Sequence, residues 1–268
     1  MRQILKIFNN NKSIKKKLFY FFNFIKLILI IILNYRFKYK IKLKKNYFLF
    51  NFLPLGKQSG SYGLFIFRED YEPLLYNLDL LIKKNDCVID VGANQGIYSL
   101  AMAKIVKPRG KVIAIEPFSS MTSCLKNNMK INSINNIKII ESLISNKQKT
   151  YKLNFNHGTV SASIVKKFKN NKYIKVKSLT IDQICSNFKK VNFIKLDIEG
   201  AEMLALEGAK KTLKNSKPVL SVEVNKNSFK KINNFLRKYN YEPYIFNKNN
   251  KLKLVTKINS DYPNLIFK

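Results

Sequence analysis

The sequence predicts an α/β domain with a mostly parallel, seven-stranded sheet and helices on both faces. Apolar runs of strand length alternate with segments of helical spacing, a pattern typical of parallel sheets. One run, Cys87–Val91, turns abruptly into the glycine-containing segment 92–96, and a helical pattern follows. Five predicted strands end at or near an acidic residue, namely Asp90, Glu116, Glu141, Asp197 and Glu223. Ligands bind such sheets at the carboxyl ends of the strands, so we expect the functional site there.

The other elements are predicted from periodicity. Residues 36–60 alternate basic and apolar side chains, which suits one or two exposed strands, and the spacing over 68–84 predicts a helix. After the glycine turn, strands are predicted at 111–116, 137–142, 191–197 and 218–223, and helices at 119–132, 179–188, 203–213 and 226–238. Residues 151–177 have the pattern of strands and loops, and a final strand pair is expected over about 241–267.

Residues 1–60 are predicted to form a basic, partly apolar extension that precedes the main domain at 61–268. Within it, residues 18–35 are the most apolar stretch of the chain. A transmembrane helix needs about 20 apolar residues, whereas this stretch contains Asn23 and Lys26 and has basic residues on both flanks. Two interpretations stay open. The helix enters or lies on a membrane, with peripheral contact through residues 1–45, or it packs on the main domain or a partner.

Composition limits the function in three ways. The formal net charge of +34 would attract nucleic acid, an anionic membrane or a phosphorylated substrate, but frequent Lys, Asn and Ile also indicate an A/T-rich genome. The cysteines, Cys87, Cys124 and Cys185, contain no C-x-x-C pair, which argues against a disulfide framework or a zinc site. We therefore expect a cytoplasmic protein, with or without association with the inner face of a membrane. His157 is the only histidine, which excludes mechanisms that need two His ligands.

The glycine turn differs from the common phosphate-binding patterns. A dinucleotide fingerprint reads G-x-G-x-x-G, but here Asn94 stands between Gly92 and Gly96, and no Lys-Ser/Thr pair follows as in a P-loop. Glu116 lies 20 residues after Gly96 at the end of the next strand. A carboxylate at that position can accept both hydroxyls of a ribose.

Four segments resemble the FkbM family of methyltransferases over roughly residues 65–225. In order they are V-I-D-V-G-A-N-Q-G-I-Y-S-L, A-I-E-P-F, S-L-T-I-D and I-K-L-D-I-E-G-A-E. The resemblance implies the class I (Rossmann-like) methyltransferase fold, S-adenosylmethionine as the methyl donor, and O-methylation of a sugar, glycan or secondary-metabolite hydroxyl. The cofactor contacts expected from it are Asp90, Gly92, Ala93, Asn94, Gly96, Tyr98, Glu116, Pro117 and Ser142. The sequence departs from the family in its N-terminal region and near residue 223, where V-E-V-N-K lacks a His that often follows this strand.

The fourth core strand is expected to supply the chemistry. Alignment of the reacting atoms contributes on the order of 7–11 kcal/mol to such a transfer, and a base adds about 10²–10⁴-fold in rate. We expect Asp197 to orient or deprotonate the acceptor and Glu199 to share that role. Glu202, Glu223 and His157 are the expected acceptor contacts, although Glu202 equally suits a helix N-terminus. A divalent metal bound by Asp197, Glu199 and Glu223 is an alternative that we do not favour.

Two further functions were weighed against a small-molecule or glycan acceptor. Nucleic-acid methylation agrees with the charge, but residues 196–200 read L-D-I-E-G instead of Asn/Asp-Pro-Pro-aromatic, no Cys follows a Pro, and acids repel phosphate. A degenerate scaffold would be expected to lose the glycine turn or Glu116, and both are present. The acceptor and the oligomeric state are not predicted.

Overall fold

Helices and strands alternate along the part of the chain that the computed structural model describes, which is residues 13–33, 37–52, 59–155, 162–163, 173–247, 249–258 and 262–268. The helices are α1 (Ile14–Ile32), α2 (Ser59–Phe67), α3 (Pro73–Asn77), α4 (Ile97–Val106), α5 (Ser119–Ile131), α6 (Ile181–Cys185), α7 (Glu202–Glu207), α8 (Lys210–Asn215) and α9 (Lys226–Arg237). Short 3₁₀ turns occupy Arg68–Asp70 and Leu78–Leu80.

The strands follow the same chain order. They are β1 (Phe37–Lys42), β2 (Tyr47–Phe52), β3 (Cys87–Val91), β4 (Lys111–Ile115), β5 (Ile137–Ile140), β6 (Leu143–Ile144), β7 (Thr150–Phe155), β8 (Ala162–Ser163), β9 (Tyr173–Leu179), β10 (Phe193–Leu196), β11 (Val219–Val224), β12 (Pro243–Phe246), β13 (Leu252–Leu254) and β14 (Tyr262–Phe267).

The central sheet has the strand order β13-β12-β14-β11-β10-β3-β4-β5. The five strands from β11 to β5 in this order are parallel, and β14 is antiparallel to both of its neighbours. The prediction of a mostly parallel α/β sheet is confirmed. The short strand β13 pairs with the edge of β12, so the sheet has one strand more than predicted and the expected C-terminal pair is a set of three.

Apolar side chains fill both faces of this sheet, because successive residues of a strand point to opposite sides. Ile89 and Ile194 pack with helices α6 to α9 on one face. Val88 and Phe193 pack with α3, α4 and α5 on the other. Helices therefore cover the sheet on both faces, as expected for a parallel sheet whose strands are apolar runs.

The strand register brings the carboxyl ends of three central strands together. Val91 is the partner of Leu196 on one side and of Ile115 on the other. The residues that follow β3, β4 and β10 therefore leave the sheet at the same edge. This edge is where the sequence places the glycine turn, Glu116 and Asp197.

Two predicted helices are interrupted. The segment 68–84 divides into a 3₁₀ turn, α3 and a second turn, because Pro73 begins α3 and keeps Glu72 before it out of the helical conformation, with φ −129° and ψ 71°. The helix predicted after β10 divides at Gly208 into α7 and α8. The carbonyl oxygen of Ser145 lies where a Cβ of residue 208 would stand, and this contact between distant segments is not visible in the local sequence.

A second sheet has the order β6-β9-β7-β8. Leu143 and Leu153 of this sheet pack against Phe118, which lies two residues after Glu116. The sheet therefore stands next to the carboxyl end of β4. His157 lies outside the described residues, so its predicted role stays a prediction.

The β1–β2 hairpin packs on the main domain. Ile41, Phe48 and Phe50 are buried in the same apolar cluster as α4 and α5. Asn128 of α5 and Asn132, the C-cap of that helix, hold the backbone of β2. Asn132 accepts a hydrogen bond from the N–H of Leu49 (2.7 Å) and donates to its carbonyl oxygen (2.6 Å), and Asn128 accepts from the N–H of Asn51 (3.0 Å). The domain boundary near residue 60 stays a prediction.

Helix α1 begins at the N-cap Ser13, whose side chain accepts from the N–H of Lys16. Tyr20, Leu27 and Ile30 are buried against α2. In the described part of the chain, no helix combines the length and the apolar character that crossing a membrane requires.

Candidate active site at the carboxyl ends of the central strands

The glycine turn is held by backbone contacts that require glycine. The N–H groups of Gly92 and Ala93 both donate to the carbonyl oxygen of Ile115, each at 3.0 Å. Gly92 has a φ of +81°, and a Cβ on it would overlap with the carbonyl oxygen of Asp197. The turn therefore lies tightly against the ends of both β4 and β10, and an L side chain at residue 92 would push them apart.

Gly96 ends the turn and caps α4. It has a φ of +91°, and a Cβ there would overlap with the side chain of Leu125 on α5. Between the two glycines, Asn94 also has a positive φ, 50°, and its side chain accepts from the N–H of Gln95 at 2.8 Å. The backbone of this segment is thus fixed before any ligand binds.

Glu116 connects the turn to the second core strand. One of its carboxylate oxygens accepts from the N–H of Asn94 (2.9 Å) and the other from the N–H of Phe118 (3.1 Å). The residue is only 6% exposed. Burial raises the pKa of its carboxyl to about 7, although the two backbone hydrogen bonds oppose the rise. A carboxylate here keeps further lone pairs that can accept ligand hydroxyls.

Asp90 is buried behind the turn. Its Oδ2 accepts from the hydroxyl of Ser99 on α4 at 2.6 Å. Its Oδ1 has no hydrogen-bond partner among the described residues. Burial raises the pKa of this carboxyl, and the charge of Lys195 partly offsets the rise. A buried oxygen without a partner is costly, so a ligand donor is the expected partner.

These groups fit S-adenosylmethionine. That molecule carries an α-ammonium group and a ribose with two neighbouring hydroxyls, which match the open acceptor Oδ1 of Asp90 and the carboxylate of Glu116. The glycine turn leaves room for backbone approach, and the N-terminus of α4 follows it. The turn, Asp90 and Glu116 thus stay the predicted contacts of the cofactor.

A buried cation, Lys195, lies among three acids of the site, Asp197, Asp90 and Glu72. Lys195 is 2% exposed, donates to Oδ2 of Asp197 at 2.7 Å and stands 4.4 Å from the ring centre of Tyr98. The Tyr98 hydroxyl in turn donates to Glu72 at 2.6 Å. Burial alone would lower the pKa of Lys195, but the neighbouring carboxylates of Asp197, Asp90 and Glu72 raise it overall. The ammonium therefore stays charged and orients Asp197.

The sequence analysis missed Lys195 and Glu72. An isolated Lys in the apolar strand V-N-F-I-K-L-D is a visible anomaly, because a buried Lys needs partners. No local pattern distinguishes Glu72, which reaches the site only because the chain breaks at Pro73. Tyr98, which we predicted as a cofactor contact, is buried between these two residues.

The loop after β10 is a tight turn organised by Glu202. Glu199 and Gly200 have positive φ values of 53° and 97°. Glu202 is 3% exposed, and its Oε1 accepts from the N–H groups of Ile198 and Gly200, each at 3.1 Å. Glu202 therefore lies in the first turn of α7, as its alternative role as a helix N-terminal acid requires, and it holds the preceding loop. Glu199, by contrast, is half-buried on the turn that Glu202 holds.

Glu223 faces these acids from the end of β11. Burial raises the pKa of its carboxyl to about 8, and the charges of Asp197, Glu199 and Glu202 add to the rise. The neighbouring acids therefore interact with one another, as predicted from the strand ends. Within the described residues, no group of three or more His, Cys, Asp or Glu side chains is arranged to hold a metal ion.

The other predicted cofactor contacts lie at the end of β5 and after β4. The hydroxyl of Ser142 lies within hydrogen-bond distance of the carbonyl oxygens of Leu143 (3.1 Å) and Lys177 (2.9 Å), so it contacts two strands of the second sheet. Pro117 is half-buried beside Glu116. Glu141 is exposed and accepts from Thr122 at 2.6 Å. Contacts of Pro117 and Ser142 with the cofactor stay predictions.

Comparisons with known proteins identify a family and a fold for this chain. The family model of the methyltransferase FkbM domain matches residues 90–243. The structure of the methyltransferase FkbM from Methylobacillus flagellatus KT is similar over 78% of this chain and 53% of that chain, with a TM-score of 0.51 and 17% sequence identity. An S-adenosylmethionine-dependent O-methyltransferase from Thermotoga maritima aligns over 74% of this chain and 64% of that chain, with a TM-score of 0.45 and 14% identity. No curated protein sequence matches significantly.

These likenesses carry different weights. This chain spans about half of the length of the Methylobacillus protein, and the identity to it shows a shared fold alone. The family model covers more than half of this chain and contains the glycine turn, Glu116, Asp197 and Glu223. The chain therefore belongs to the FkbM methyltransferase family.

Proposed function

We propose that this methyltransferase transfers the methyl group to a hydroxyl oxygen of a neutral sugar, glycan or secondary metabolite, and that Asp197 orients or deprotonates that hydroxyl. The observation that carries the proposal is the position of Asp197. Its N–H donates to the carbonyl oxygen of Val91 at 3.2 Å, and its own carbonyl oxygen abuts Gly92. Asp197 is thus adjacent to the turn predicted to bind the cofactor.

Exposure separates Asp197 from the other acids near the turn. Its side chain is 37% exposed, whereas Asp90 and Glu116 are buried. An acceptor that arrives from solvent can therefore reach Asp197. Lys195 occupies Oδ2, so Oδ1 is the oxygen proposed to receive the hydroxyl proton.

These contacts suggest a separate role for each residue in the transfer. S-adenosylmethionine, when bound, supplies an electrophilic methyl group on a sulfonium. Asp197 accepts the hydrogen bond of the acceptor hydroxyl and takes its proton as the oxygen becomes an ether, a contribution of about 10²–10⁴-fold in rate. Lys195 fixes the carboxylate in one orientation, and the rigid loop at Glu199 and Gly200 limits its movement.

The acidic surroundings support a neutral acceptor. Burial raises the pKa of Glu223 to about 8, and Asp197, Glu199 and Glu202 lie close enough to add to the rise. The raised pKa favours a protonated Glu223 carboxyl, which can donate a hydrogen bond, and the carboxyl oxygens of Asp197 and Glu199 can accept one. A polyhydroxylated ligand offers both donors and acceptors, whereas a phosphate would meet like charge.

The test combines binding and transfer. Calorimetry with S-adenosylhomocysteine should show binding by the wild type and by Asp197→Asn. A methyl-¹³C donor is then offered with neutral mono- and oligosaccharides, with hydroxylated small metabolites and with ribosomal and transfer RNA. We expect label in the O-methyl region of the ¹³C spectrum for a neutral acceptor, and a loss of at least about 100-fold in kcat for Asp197→Asn.

Glu242→Gln is the matched control. Glu242 is an exposed acid immediately before β12, at the sheet edge opposite the site, and the turnover of the variant should equal that of the wild type. Label on RNA alone, or in an N-methyl region, would replace the proposal with nucleic-acid or amine methylation. Unchanged turnover of Asp197→Asn would remove this residue from the mechanism.

A further inference from the structure

Helix α1 carries apolar residues on two opposite faces, although only one of these faces is covered within the described residues. The covered stripe is Tyr20, Asn23, Leu27 and Ile30, and these residues are spaced three or four apart. A helix with apolar residues on opposite faces is normally buried on both of them. The uncovered side of α1 therefore calls for an explanation.

The covered stripe is fixed by specific polar contacts. Lys16 pairs with Asp70 at 3.0 Å, and the hydroxyl of Tyr20 also donates to Asp70. The side-chain amide of Asn23 donates to the carbonyl oxygen of Ile66 at 3.2 Å. These contacts set the rotation of α1 about its axis, so the opposite side of the helix faces away from α2.

The opposite side is a continuous apolar surface, which we call the outer face. At 3.6 residues per turn, eight apolar residues share an arc of about 120°. Each of them is between 36% and 78% exposed. They are Ile14, Leu18, Phe21, Phe22, Ile25, Ile28, Leu29 and Ile32.

Lysines border the outer face. By the same helical geometry Lys15 and Lys26 lie along one border and Lys17 along the other, and the chain contains no Asp or Glu before Glu69. Long lysine side chains at the border of an apolar face can extend their ammonium groups towards lipid headgroups. A second copy of this highly basic chain would instead meet like charge.

We propose that the outer face of α1 docks this methyltransferase on an anionic lipid bilayer, with the helix axis in the plane of the interface. The apolar arc enters the boundary between headgroups and acyl chains, and the bordering lysines contact anionic headgroups. Because the inner stripe is occupied by α2, the helix lies on the membrane and does not cross it. The proposal is independent of the acceptor, so its failure would leave the proposed function intact.

The test is flotation of the full-length protein with two kinds of vesicle, phosphatidylcholine alone and phosphatidylcholine mixed with phosphatidylglycerol. We expect binding to the anionic vesicles that weakens as salt is added, and much weaker binding to the neutral ones. Phe22→Ser, Ile25→Ser and Leu29→Ser combined should weaken binding on the order of 100-fold. Lys15→Gln with Lys26→Gln should weaken it by about 30-fold on anionic vesicles only.

Matched controls remove similar groups elsewhere. The combination of Tyr47→Ser, Leu80→Ser and Leu254→Ser removes three exposed apolar side chains outside α1, and Lys189→Gln with Lys190→Gln removes two exposed lysines. Both controls should bind vesicles as the wild type does. Every variant should bind S-adenosylhomocysteine normally, which shows that the domain is folded.

The absence of tryptophan from the chain allows a direct reporter. Phe22→Trp should shift its fluorescence to the blue when anionic vesicles are added, and Tyr47→Trp should not. No vesicle binding by the wild type would overturn the proposal, as would equal binding by the outer-face variant. A concentration-dependent dimer that the same three serines dissociate, without vesicle binding, would assign the outer face to a second copy instead.

Discussion

The ion pair between Lys195 and Asp197 gives the sharpest test of the site. Replacing Lys195 with Met keeps a long apolar side chain next to the ring of Tyr98, where a thioether packs well, but removes the charge. The variant leaves Asp197, Asp90 and Glu72 near one another without the cation that faces all three. We expect a protein that folds and is less stable.

The size of the stability loss in Lys195→Met follows from how deeply Lys195 and Asp197 are buried. Removing one partner of a fully buried ion pair costs about 3–5 kcal/mol. Lys195 is 2% exposed, but Asp197 keeps 37% of its side chain exposed, so water screens part of the charge left behind. We therefore expect the free energy of unfolding to fall by about 2–3 kcal/mol at pH 7.5.

The loss should shrink in acid. Burial already raises the pKa of Asp90, and Lys195 opposes that rise, so the variant raises the folded-state pKa further above its unfolded value. A group with a raised folded-state pKa takes up its proton as the pH falls, and the unpaired charge then disappears. The difference in stability between variant and wild type should accordingly be much smaller at pH 5 than at pH 7.5.

Urea denaturation at the two pH values measures this difference. Lys189→Met, on an exposed lysine, is the control and should change stability by less than about 0.5 kcal/mol. Adding Asp197→Asn to Lys195→Met should recover part of the loss at pH 7.5. A loss below about 1 kcal/mol at pH 7.5, or an equal loss at both pH values, would refute this account of the acids.

Two further predictions concern the cofactor turn. Gly92→Ala should lower the free energy of unfolding by about 3 kcal/mol, because an L residue is strained at a φ of +81° and the new Cβ overlaps with Asp197. Urea denaturation measures the loss. A variant as stable as the wild type would contradict the close contact between the turn and Asp197. Affinity for S-adenosylhomocysteine should be about tenfold weaker at pH 6 than at pH 8, because the pKa of Glu116 is about 7 and only its ionised form accepts both ribose hydroxyls. Calorimetry of wild type and Glu116→Gln tests this, and equal pH dependence of the two would exclude Glu116.

The sequence was sufficient for the parts of the site that depend on strand ends. Parallel strands place their carboxyl ends at one edge, so Asp90, Glu116 and Asp197 could be brought together from their positions after apolar runs. The glycine turn between β3 and α4 was predictable for the same reason. In each case the information lies within one strand and the turn that follows it.

The parts of the site and fold that were not predicted depend on contacts between segments distant in the sequence. Glu72 reaches Tyr98 because the chain breaks at Pro73, and an amphipathic pattern over 68–84 conceals that break. The division between α7 and α8 depends on the carbonyl oxygen of Ser145 against Gly208. Helix periodicity describes a single segment and contains no information on such neighbours.

The asparagine contacts on β2 have a consequence for solubility. An exposed strand edge is a template on which other chains can add a strand. Asn128 on α5 and the C-cap residue Asn132 are four residues apart, a rise of about 6 Å. They match the spacing of Leu49 and Asn51, two residues apart on β2 at about 6.7 Å. The two side-chain amides therefore bind backbone groups of β2 that an added strand would otherwise bind. The hairpin pairs with neither of the larger sheets, and these contacts protect its β2 edge from aggregation.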